Sequence, residues 1–262
     1  MIYKNIYFKK SIISSILNIH KIFISRVGLK NIYYPFVFDN FNGKLQRLIG
    51  LWNIGISVLA GKRGVHMSRF LSVLDNVLIK SLNIINFFKI HKHFLKKLHS
   101  NDISVQLSFI YFLRKLTPIT IKNSLLNYKI TLFFEKINIF QNFILKIIIP
   151  LNSLCPCSKY ISYFNAHNQR CYVTFFLFLK KNVIDLNKLI NLLELQSSSS
   201  LWSLLKRRDE KYFTEFSYKN PKFIEDFSRN IFFEFKKKKF FLKIENLESI
   251  HNHDVYSYLK NY

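Results

Sequence analysis

Glycine, cysteine and long uncharged runs are scarce in this sequence of 262 residues. None of the six Gly stands in a GxGxxG or GxxxxGKS spacing, which excludes the dinucleotide-binding and P-loop fingerprints. Three Cys cannot form a disulfide framework, so we expect a reducing, cytoplasmic compartment. The longest stretch without a charged residue, Leu48 to Gly61, has 14 residues. A membrane-spanning helix needs about 20 apolar residues, so we expect no association with a membrane.

Acidic residues are also few, because 15 Asp and Glu stand against 40 Lys and Arg, which gives a formal net charge of +25. This charge has three interpretations: affinity for nucleic acid, a solvated basic face in a sequence biased toward Lys by an AT-rich genome, or a basic interior for a small polyanionic substrate. Nine of the 15 acids lie between Asp209 and Asp254. Their persistence there indicates that the C-terminal part of the chain uses carboxylates.

Hydrophobic periodicity predicts an α+β chain. Apolar residues recur at intervals of three and four over Met67–Lys80 and Asp185–Gln196, which predicts two helices. Asp102–Phe109 alternates between apolar and polar residues and is predicted to be a half-buried strand. Asn220-Pro221 predicts the start of another helix, with Asn as the N-cap and Pro at the first helical position, and Ser197–Ser200 is interpreted as a short linker. Further strands are predicted over residues 128–134, 140–149, 171–179 and 240–246.

The segment Ser153–Cys171 contains the residue types of a metal site. Cys155 and Cys157 flank a Pro, and His167 follows ten residues after the second Cys. Thiolate and imidazole are good ligands for a borderline-soft metal such as zinc. Two buried Cys and a capping His would give the same pattern, so both interpretations stay open at this point.

Two later segments supply carboxylates and imidazoles. Leu204–Asp226 contains Glu210, Glu215 and Glu225, and by itself its charged part is typical of a solvated cluster. Glu245–Asp254 contains Glu248, His251 and His253 after a predicted strand. In an extended segment the two His rings would point to one side, as metal ligands do, but a polar chain terminus has the same composition.

Together these segments resemble the type IB class of GTP cyclohydrolase I. Members typically carry SLCPCSKEIS-x-YGAHNQR, LLKRPDEKYVTE, NPKFVED and ENFESIHNH, and this sequence has SLCPCSKYISYFNAHNQR, LLKRRDEKYFTE, NPKFIED and ENLESIHNH in the same order. RVGLKNIYYP at Arg26–Pro35 and RGVHMSRF at Arg63–Phe70 are similar to the family's N-terminal motifs. The resemblance extends from about Ile24 to Tyr256.

Four residues depart from the family's pattern. Tyr160, Asn165, Arg208 and Cys171 stand where members usually have Glu, Gly, Pro and Ser. None of these departures removes a metal-type ligand. Asn tolerates the left-handed backbone better than most residues, so we expect Asn165 to replace Gly at modest cost.

The resemblance implies the tunnelling fold, an α+β architecture of modules with four antiparallel strands and two helices packed on one face. We expect an N-terminal extension over residues 1–24, a first module over 25–136, and a second module over 137–262 that carries most of the catalytic motifs. The resemblance also implies a homo-oligomer, with a tetramer expected, whose active sites form at module interfaces.

The activity implied is the hydrolysis of GTP to 7,8-dihydroneopterin triphosphate and formate, the first step of tetrahydrofolate biosynthesis. One divalent metal ion per subunit (Zn, Mn or Fe) is implied as the cofactor. The ligands implied by matched position are Cys155, His167, Glu210 and His251. The catalytic residues implied are Cys155, Cys157, Glu248 and His251. The substrate-binding residues expected are Glu225 at the guanine edge, and Lys159, Arg170, Lys206, Arg207 and His253. It stays open which Cys is the ligand and whether His251 binds the metal or transfers a proton.

Two alternatives are considered. Another tunnelling-fold enzyme that acts on a purine or pterin, such as a nitrile reductase, would need an NADPH site, for which the sequence has no motif. A basic RNA-binding protein would bind with an affinity that falls steeply with salt, but it would not explain four motifs of catalytic type. We therefore expect GTP as the substrate and no nucleic-acid partner.

Overall fold

The computed structural model describes residues 21–40, 44–180 and 184–261, so the extension predicted over residues 1–24 lies almost wholly outside the described residues. The strands in the described part are β1 (Ile24–Asp39), β2 (Leu45–Val58), β3 (Ile103–Leu116), β4 (Asn123–Ile137), β5 (Phe140–Leu154), β6 (Asn168–Phe178), β7 (Phe240–Leu247) and β8 (Val255–Asn261). The helices are α1 (Ser68–Val77), α2 (Ile84–Leu98), α3 (Pro156–Ile161), α4 (Leu186–Glu194), α5 (Arg207–Lys219) and α6 (Ile224–Phe235). None of these helices is both long enough and apolar enough to cross a membrane.

The strands follow one another in the sheet in chain order, from β1 to β8. The pairs β1–β2, β2–β3, β5–β6, β6–β7 and β7–β8 are antiparallel. Antiparallel neighbours need no crossover connection, and the long segments between β2 and β3 and between β6 and β7 contain five of the six helices. The predicted α+β class with antiparallel strands is confirmed.

The chain divides into two compact units. The first contains the described residues up to Ser108 together with Leu132–Phe143, and the second contains Phe109–Thr131 and the described residues from Ile144 onward. The module boundaries predicted from the sequence stay a prediction.

In the first unit, apolar side chains of the sheet pack against α2. The Trp52 ring of β2 lies 6.1 Å from the Phe87 ring of α2, and Phe36 of β1 lies 6.4 Å from Trp52. The predicted strand at Asp102–Phe109 is confirmed, since its apolar positions 103, 105, 107 and 109 are all buried. The helix predicted over Met67–Lys80 ends earlier, at Val77. The sequence reasoning did not predict α2, which begins with Asn83 accepting a hydrogen bond from Asn86 N at 2.8 Å.

In the second unit, aromatic side chains join β6 and β7 to α6. The Phe175 ring lies 5.3 Å from Phe240 and 4.9 Å from Phe235. The helix predicted over Asp185–Gln196 is confirmed as α4, whose N-cap Asp185 accepts a hydrogen bond from Asn187 N at 2.8 Å. Its apolar positions 186, 189, 190 and 193 are buried, so the helical periodicity located its core-facing side.

The start of α6 differs from the prediction. Asn220 ends α5, and its side-chain amide donates to the carbonyl oxygens of Ser197 and Ser198, at 3.1 Å each. The helix begins at Ile224 with Phe223 as the N-cap, and the Phe223 side chain is exposed. The Asn-Pro pair was misinterpreted because an Asn side chain can satisfy distant carbonyl groups as well as cap a helix.

A buried carboxylate lies at the end of α4. Glu194 accepts a hydrogen bond from Tyr128 Oη at 2.6 Å and pairs with Lys115 Nζ at 2.7 Å. Burial lowers the pKa of Lys115 and raises the pKa of Tyr128, and the charge of Glu194 opposes the first shift and adds to the second. A paired charge in this position specifies how α4 docks on β3 and β4, since breaking the pair would leave a buried charge without compensation.

A second buried carboxylate, Asp209, ties α5 to the turn between β3 and β4. Its two oxygens accept hydrogen bonds from Ile119 N, Thr120 N, Thr120 Oγ1 and Lys206 N. Burial by itself would raise the pKa of the Asp209 carboxyl, but these hydrogen bonds, led by those from Thr120, favour the carboxylate and hold its pKa well below the ordinary value. The start of α5 is therefore anchored by one side chain.

Replacing Asp209 by Asn should lower the melting temperature by about 5 °C or more, because an amide cannot accept from all of these donors. Since the folded-state pKa is depressed, the stabilisation by Asp209 is present above about pH 4 and is lost as the pH falls further. The difference from the wild type in thermal unfolding should therefore shrink below about pH 4. Asp226→Asn, which removes an exposed carboxylate bound to Arg229, is the control and should shift the melting temperature little. Equal shifts in the two variants would contradict the anchoring role.

Candidate functional site

Three strand ends bring the polar motifs together at one edge of the sheet. In the antiparallel register Ser153 of β5 lies opposite Gln169 of β6, and Arg170 of β6 lies opposite Leu247 of β7. The end of β5, the start of β6 and the end of β7 are therefore adjacent. This places the SLCPC, AHNQR and ENLESIHNH segments beside one another, although up to about ninety residues separate them in the sequence.

Cys155 and His167 are adjacent at this edge. Cys155 N donates to His167 O at 3.2 Å, and Cys155 is half-buried at the N-cap of α3. Ser249 Oγ, from the connection after β7, lies 3.1 Å from His167 Nδ1 and orients the ring. Cys157 is exposed on α3, whereas Cys171 is fully buried, and burial raises the pKa of the Cys171 thiol far above its usual range. Cys171 therefore stays protonated, and Cys155 and Cys157 are the thiols open to chemistry.

The end of β5 is braced by the segment that was interpreted as a linker. Ser199 O accepts from Asn152 N at 3.1 Å, and Ser198 Oγ accepts from Leu154 N at 3.1 Å. Both Ser are almost fully buried. The serine run is therefore a structural support that holds the chain in place directly before Cys155.

Asn165 follows the behaviour expected of a Gly substitute. Its φ is 99°, in the region that favours Gly, and it lies in the loop between α3 and His167. The expectation that Asn would adopt the left-handed backbone here is confirmed.

Glu248 is held by a residue that the sequence reasoning did not single out. Gln169 Nε2 donates to Glu248 Oε1 at 3.0 Å. A carboxylate can only accept hydrogen bonds, so this contact fixes which end of the Gln169 amide faces Glu248. The other end, Gln169 Oε1, is buried without a hydrogen-bond partner among the described residues. Asn246 Oδ1 on the same face is also buried and unpartnered. Gln169 is a polar residue at an inward-facing position of a strand, and a buried polar side chain needs a hydrogen-bond partner. This sequence signal could have indicated that Gln169 pairs with another polar residue, here Glu248.

The two His rings of the last motif lie side by side. The centroids of His251 and His253 are 5.0 Å apart with 15° between the ring planes, so both rings face the same way, as predicted. The backbone there forms bends rather than an extended strand, and both residues are exposed. The shared orientation therefore comes from the bend after β7 and not from strand geometry.

Glu210 lies on α5, one residue after the buried anchor Asp209. It is exposed, and its Oε2 pairs with Arg207 Nη1 at 2.9 Å. Among the described residues, no three His, Cys, Asp or Glu side chains form a cluster that could hold a metal ion. Cys155 and His167 have donor types that suit a metal, and their backbones are joined by a hydrogen bond. Among the described residues Glu210 and His251 do not complete a cluster with them, so the four-residue ligand set stays a prediction.

The predicted phosphate-binding cations lie in different environments. Lys159 Nζ donates to Tyr218 O at 2.7 Å and lies 4.4 Å from the centre of the Tyr218 ring. Arg170 is exposed on the sheet face opposite to Gln169, because neighbouring residues of a strand alternate. Lys206 and Arg207 are exposed at the start of α5.

Glu225 lies in the first turn of α6 and is exposed, with no hydrogen bond or ion pair among the described residues. The segment before it is tied to the site edge, since Lys222 N donates to Leu154 O at 3.3 Å and Lys222 Nζ donates to Gln196 O at 2.8 Å. The carboxylate is therefore free to bind a ligand, on a helix whose approach is fixed beside the end of β5.

Comparisons with known proteins agree with the motifs. Residues 13–257 match the family described as type I GTP cyclohydrolase folE2. A GTP cyclohydrolase FolE2 of Burkholderia multivorans is 37% identical over 252 residues, which cover 95% of this chain and 93% of that protein. A GTP cyclohydrolase FolE2 of Burkholderia ambifaria is 36% identical over the same shares.

Among solved structures, the uricase of Arthrobacter globiformis is similar with a TM-score of 0.55 at 9% identity, over 90% of this chain and 93% of that one. At this identity the likeness concerns the fold alone. The antiparallel sheet with helices on one face is the predicted tunnelling fold. With the match over nearly the whole length and the four motifs present in order, this chain belongs to the type I GTP cyclohydrolase folE2 family.

Proposed function

We propose that this protein hydrolyses GTP to 7,8-dihydroneopterin triphosphate and formate, the first step of tetrahydrofolate biosynthesis. The observation that carries the proposal is that strand pairing places segments with thiol, imidazole and carboxylate groups beside one another at the ends of β5, β6 and β7. Curated relatives of the same family, at 36–37% identity, bear the name GTP cyclohydrolase FolE2.

The reaction needs groups that move protons while water adds at C8 of guanine and the imidazole ring opens. Glu248 suits this task because Gln169 binds its Oε1 and thereby aims the other oxygen, Oε2, in one direction. Cys157 is an exposed thiol, and His251 is an exposed imidazole on the same strand-end edge. In this proposal Glu248 and His251 exchange protons with the substrate, and the thiols of Cys155 and Cys157 lie next to the reacting ring.

The activity is tested by incubating the purified protein with GTP and Mn²⁺ and reading pterin fluorescence after oxidation. We expect a fluorescent pterin from GTP and none from ATP. The absence of pterin with Zn²⁺, Mn²⁺ and Fe²⁺ alike would refute the proposed activity.

Glu225 is proposed to bind the guanine edge by accepting from N1–H and the exocyclic amine. Glu225→Gln replaces one acceptor oxygen by a donor and removes the charge, and hydrogen bonds to a charged group contribute about 1.5–3 kcal/mol each. GTP turnover should fall about a hundredfold or more, while the melting temperature falls by no more than about 3 °C.

The control for this prediction is Asp226→Asn, which removes a neighbouring carboxylate from the same helical turn. Both carboxylates interact with the helix dipole, worth about 0.3–1 kcal/mol, and Asp226 also pairs with Arg229 in an exposed ion pair of small effect, so a large difference in turnover between the variants reports guanine recognition. Similar GTP turnover in the two variants would show that Glu225 interacts only with the helix dipole and does not bind guanine.

One divalent metal ion per subunit is also proposed, with Cys155 and His167 as ligands and Glu210 and His251 as further candidates. Zinc, manganese and iron all accept this donor set. A bound metal of this kind would lower the pKa of a water ligand toward about 7.

Metal analysis should give about one ion per chain, and Cys155→Ser should lower the metal affinity at least about tenfold, since a hydroxyl is a poor replacement for a thiolate ligand. Cys171→Ser is the matched control, because that thiol is fully buried away from solvent, and it should leave the stoichiometry unchanged. A content near zero under all loading conditions would exclude the metal.

A homotetramer is proposed as the working assembly. The segment after Cys157 exposes four large side chains, Tyr160, Ile161, Tyr163 and Phe164, with Tyr163 99% exposed. Adjacent apolar side chains exposed in this way are typical of an interaction surface. We infer that this segment contacts another copy of the chain.

Light scattering should report about four times the chain mass of 31.4 kDa. The double variant Tyr163→Ser/Phe164→Ser should shift the mass to a smaller species, whereas Phe233→Ser, at an exposed position of α6, should not. A fully active wild-type monomer would contradict the proposal.

A further inference from the structure

The short stretch of chain between α5 and α6 is bound to the serine run. Residues 220–223 form this stretch and are called here the connecting segment. The Asn220 amide donates to two carbonyl oxygens of the serine run, at 3.1 Å each. Lys222 Nζ donates at 2.8 Å to the carbonyl oxygen of Gln196, the residue directly before the serine run. Two side chains of the connecting segment therefore bind one short piece of backbone.

The same piece of backbone also holds the end of β5. Ser198 Oγ, in the serine run, accepts from Leu154 N at 3.1 Å. The Leu154 carbonyl oxygen in turn accepts from Lys222 N at 3.3 Å. Both backbone polar groups of the residue directly before Cys155 are therefore bound. Lys222 contacts the end of β5 with its backbone and the start of the serine run with its side chain.

The Lys222 ammonium group binds a carbonyl oxygen rather than a carboxylate. It forms no ion pair within residues 21–40, 44–180 and 184–261. Its partial burial disfavours the charged form and lowers the pKa of Lys222. An exposed Lys keeps its ammonium group in water, because removing a charge from water costs free energy. Here the charge-assisted hydrogen bond to Gln196 O offsets that cost, which indicates that the contact holds the connecting segment in one position.

The first turn of α6 depends on the connecting segment for its position. Its N-cap, Phe223, makes no side-chain hydrogen bond to the helix, so the helix start has no cap of its own. Ile224 and Phe227 are buried, but hydrophobic burial is non-directional. The hydrogen bonds of the connecting segment therefore specify the direction in which Glu225, three residues after Lys222, leaves the helix.

We propose that Lys222 is a positioning residue that sets the separation between Glu225 and Cys155. The proposal rests on the function proposed above, in which Glu225 binds the guanine edge and the Cys155 thiol lies next to the reacting ring. Guanine is rigid, so a change in this separation moves C8 away from the groups that react with it. A shift of about 1 Å at the reacting atoms can lower a rate about a hundredfold. In this role Lys222 acts through Leu154 on one side and through the start of α6 on the other.

The role is tested in the full-length protein with Lys222→Met, which removes the ammonium donor and keeps an unbranched side chain. The kcat for GTP should fall about tenfold or more while KM changes less than about threefold, because guanine is still bound but is misplaced for the reaction. Lys222→Arg keeps a cationic donor and should retain at least about half of the wild-type kcat. Lys219→Met removes an exposed positive charge from the last turn of α5, and as the matched control it should change kcat less than about twofold.

A double-mutant cycle with Glu225→Gln separates positioning from general stabilisation. If Lys222 places Glu225, adding Lys222→Met to Glu225→Gln should lower kcat less than about twofold, because the contact that Lys222 places is already lost. A Lys222 that only stabilised the fold would lower kcat by the same factor in both backgrounds. Equal factors, or a loss in Lys222→Arg as large as in Lys222→Met, would overturn the inference. Lys222→Gln, with a shorter and still polar side chain, takes the place of Lys222→Met should the latter not fold.

Hydrogen exchange gives a readout that does not require activity. Lys222→Met should speed amide exchange about tenfold or more at Leu154 and at Phe227, whose N–H binds Phe223 O at 3.0 Å, whereas Lys219→Met should leave both amides unchanged. Unchanged exchange at both amides in Lys222→Met would overturn the inference. Absence of pterin from the wild-type protein would refute the proposed function, and the exchange rates would still decide the role of Lys222, so the two can fail separately.

Discussion

The antiparallel pairing of neighbouring strands is the constraint on which the site depends. Because each strand returns alongside the previous one, the end of β5 is forced next to the start of β6, and the start of β6 next to the end of β7. The loop residues that follow or precede those strands therefore lie at the same edge of the sheet, and they need no direct contacts with one another to be brought there. The strand pairing places Cys155, His167 and Glu248 at the same edge of the sheet. Hydrogen bonds between the motifs then orient individual side chains there.

Buried charge anchors the helices around that sheet. Glu194 joins α4 to β3 and β4, and Asp209 joins the start of α5 to the turn after β3. Each carboxylate accepts hydrogen bonds from several donors, which offsets the free-energy cost of burying its charge. Removing either carboxylate would leave those donors without a partner and would destabilise the fold. The direction in which Glu210 leaves α5 follows from the anchoring of its neighbour Asp209. In a chain with a net charge of +25, two of the 15 acidic residues are thus buried in fixed structural positions.

Much of the architecture could be predicted from periodicity. The buried face of α4 and the alternation along β3 follow directly from apolar spacing, because burial on one side is the main force that shapes an element. The start of α6 and the role of the serine run could not be predicted in this way. Asn220 and Ser198 make hydrogen bonds to partners more than twenty residues away in the sequence. The local sequence does not indicate which distant carbonyl or amide group a polar side chain will contact. The same holds for Gln169, whose partner Glu248 lies 79 residues later.

The sequence by itself determined the family, the antiparallel α+β class and the residue types of the site, since motif spacing and hydrophobic pattern are local properties. The tertiary structure alone decided which of those residues meet. It joined Cys155 to His167 and Gln169 to Glu248, gave Glu225 no partner within residues 21–40, 44–180 and 184–261, and paired Glu210 with Arg207. It also buried Cys171 while leaving Cys157 exposed. The physical reason is that proximity and burial arise from strand register and helix docking, which depend on many residues at once.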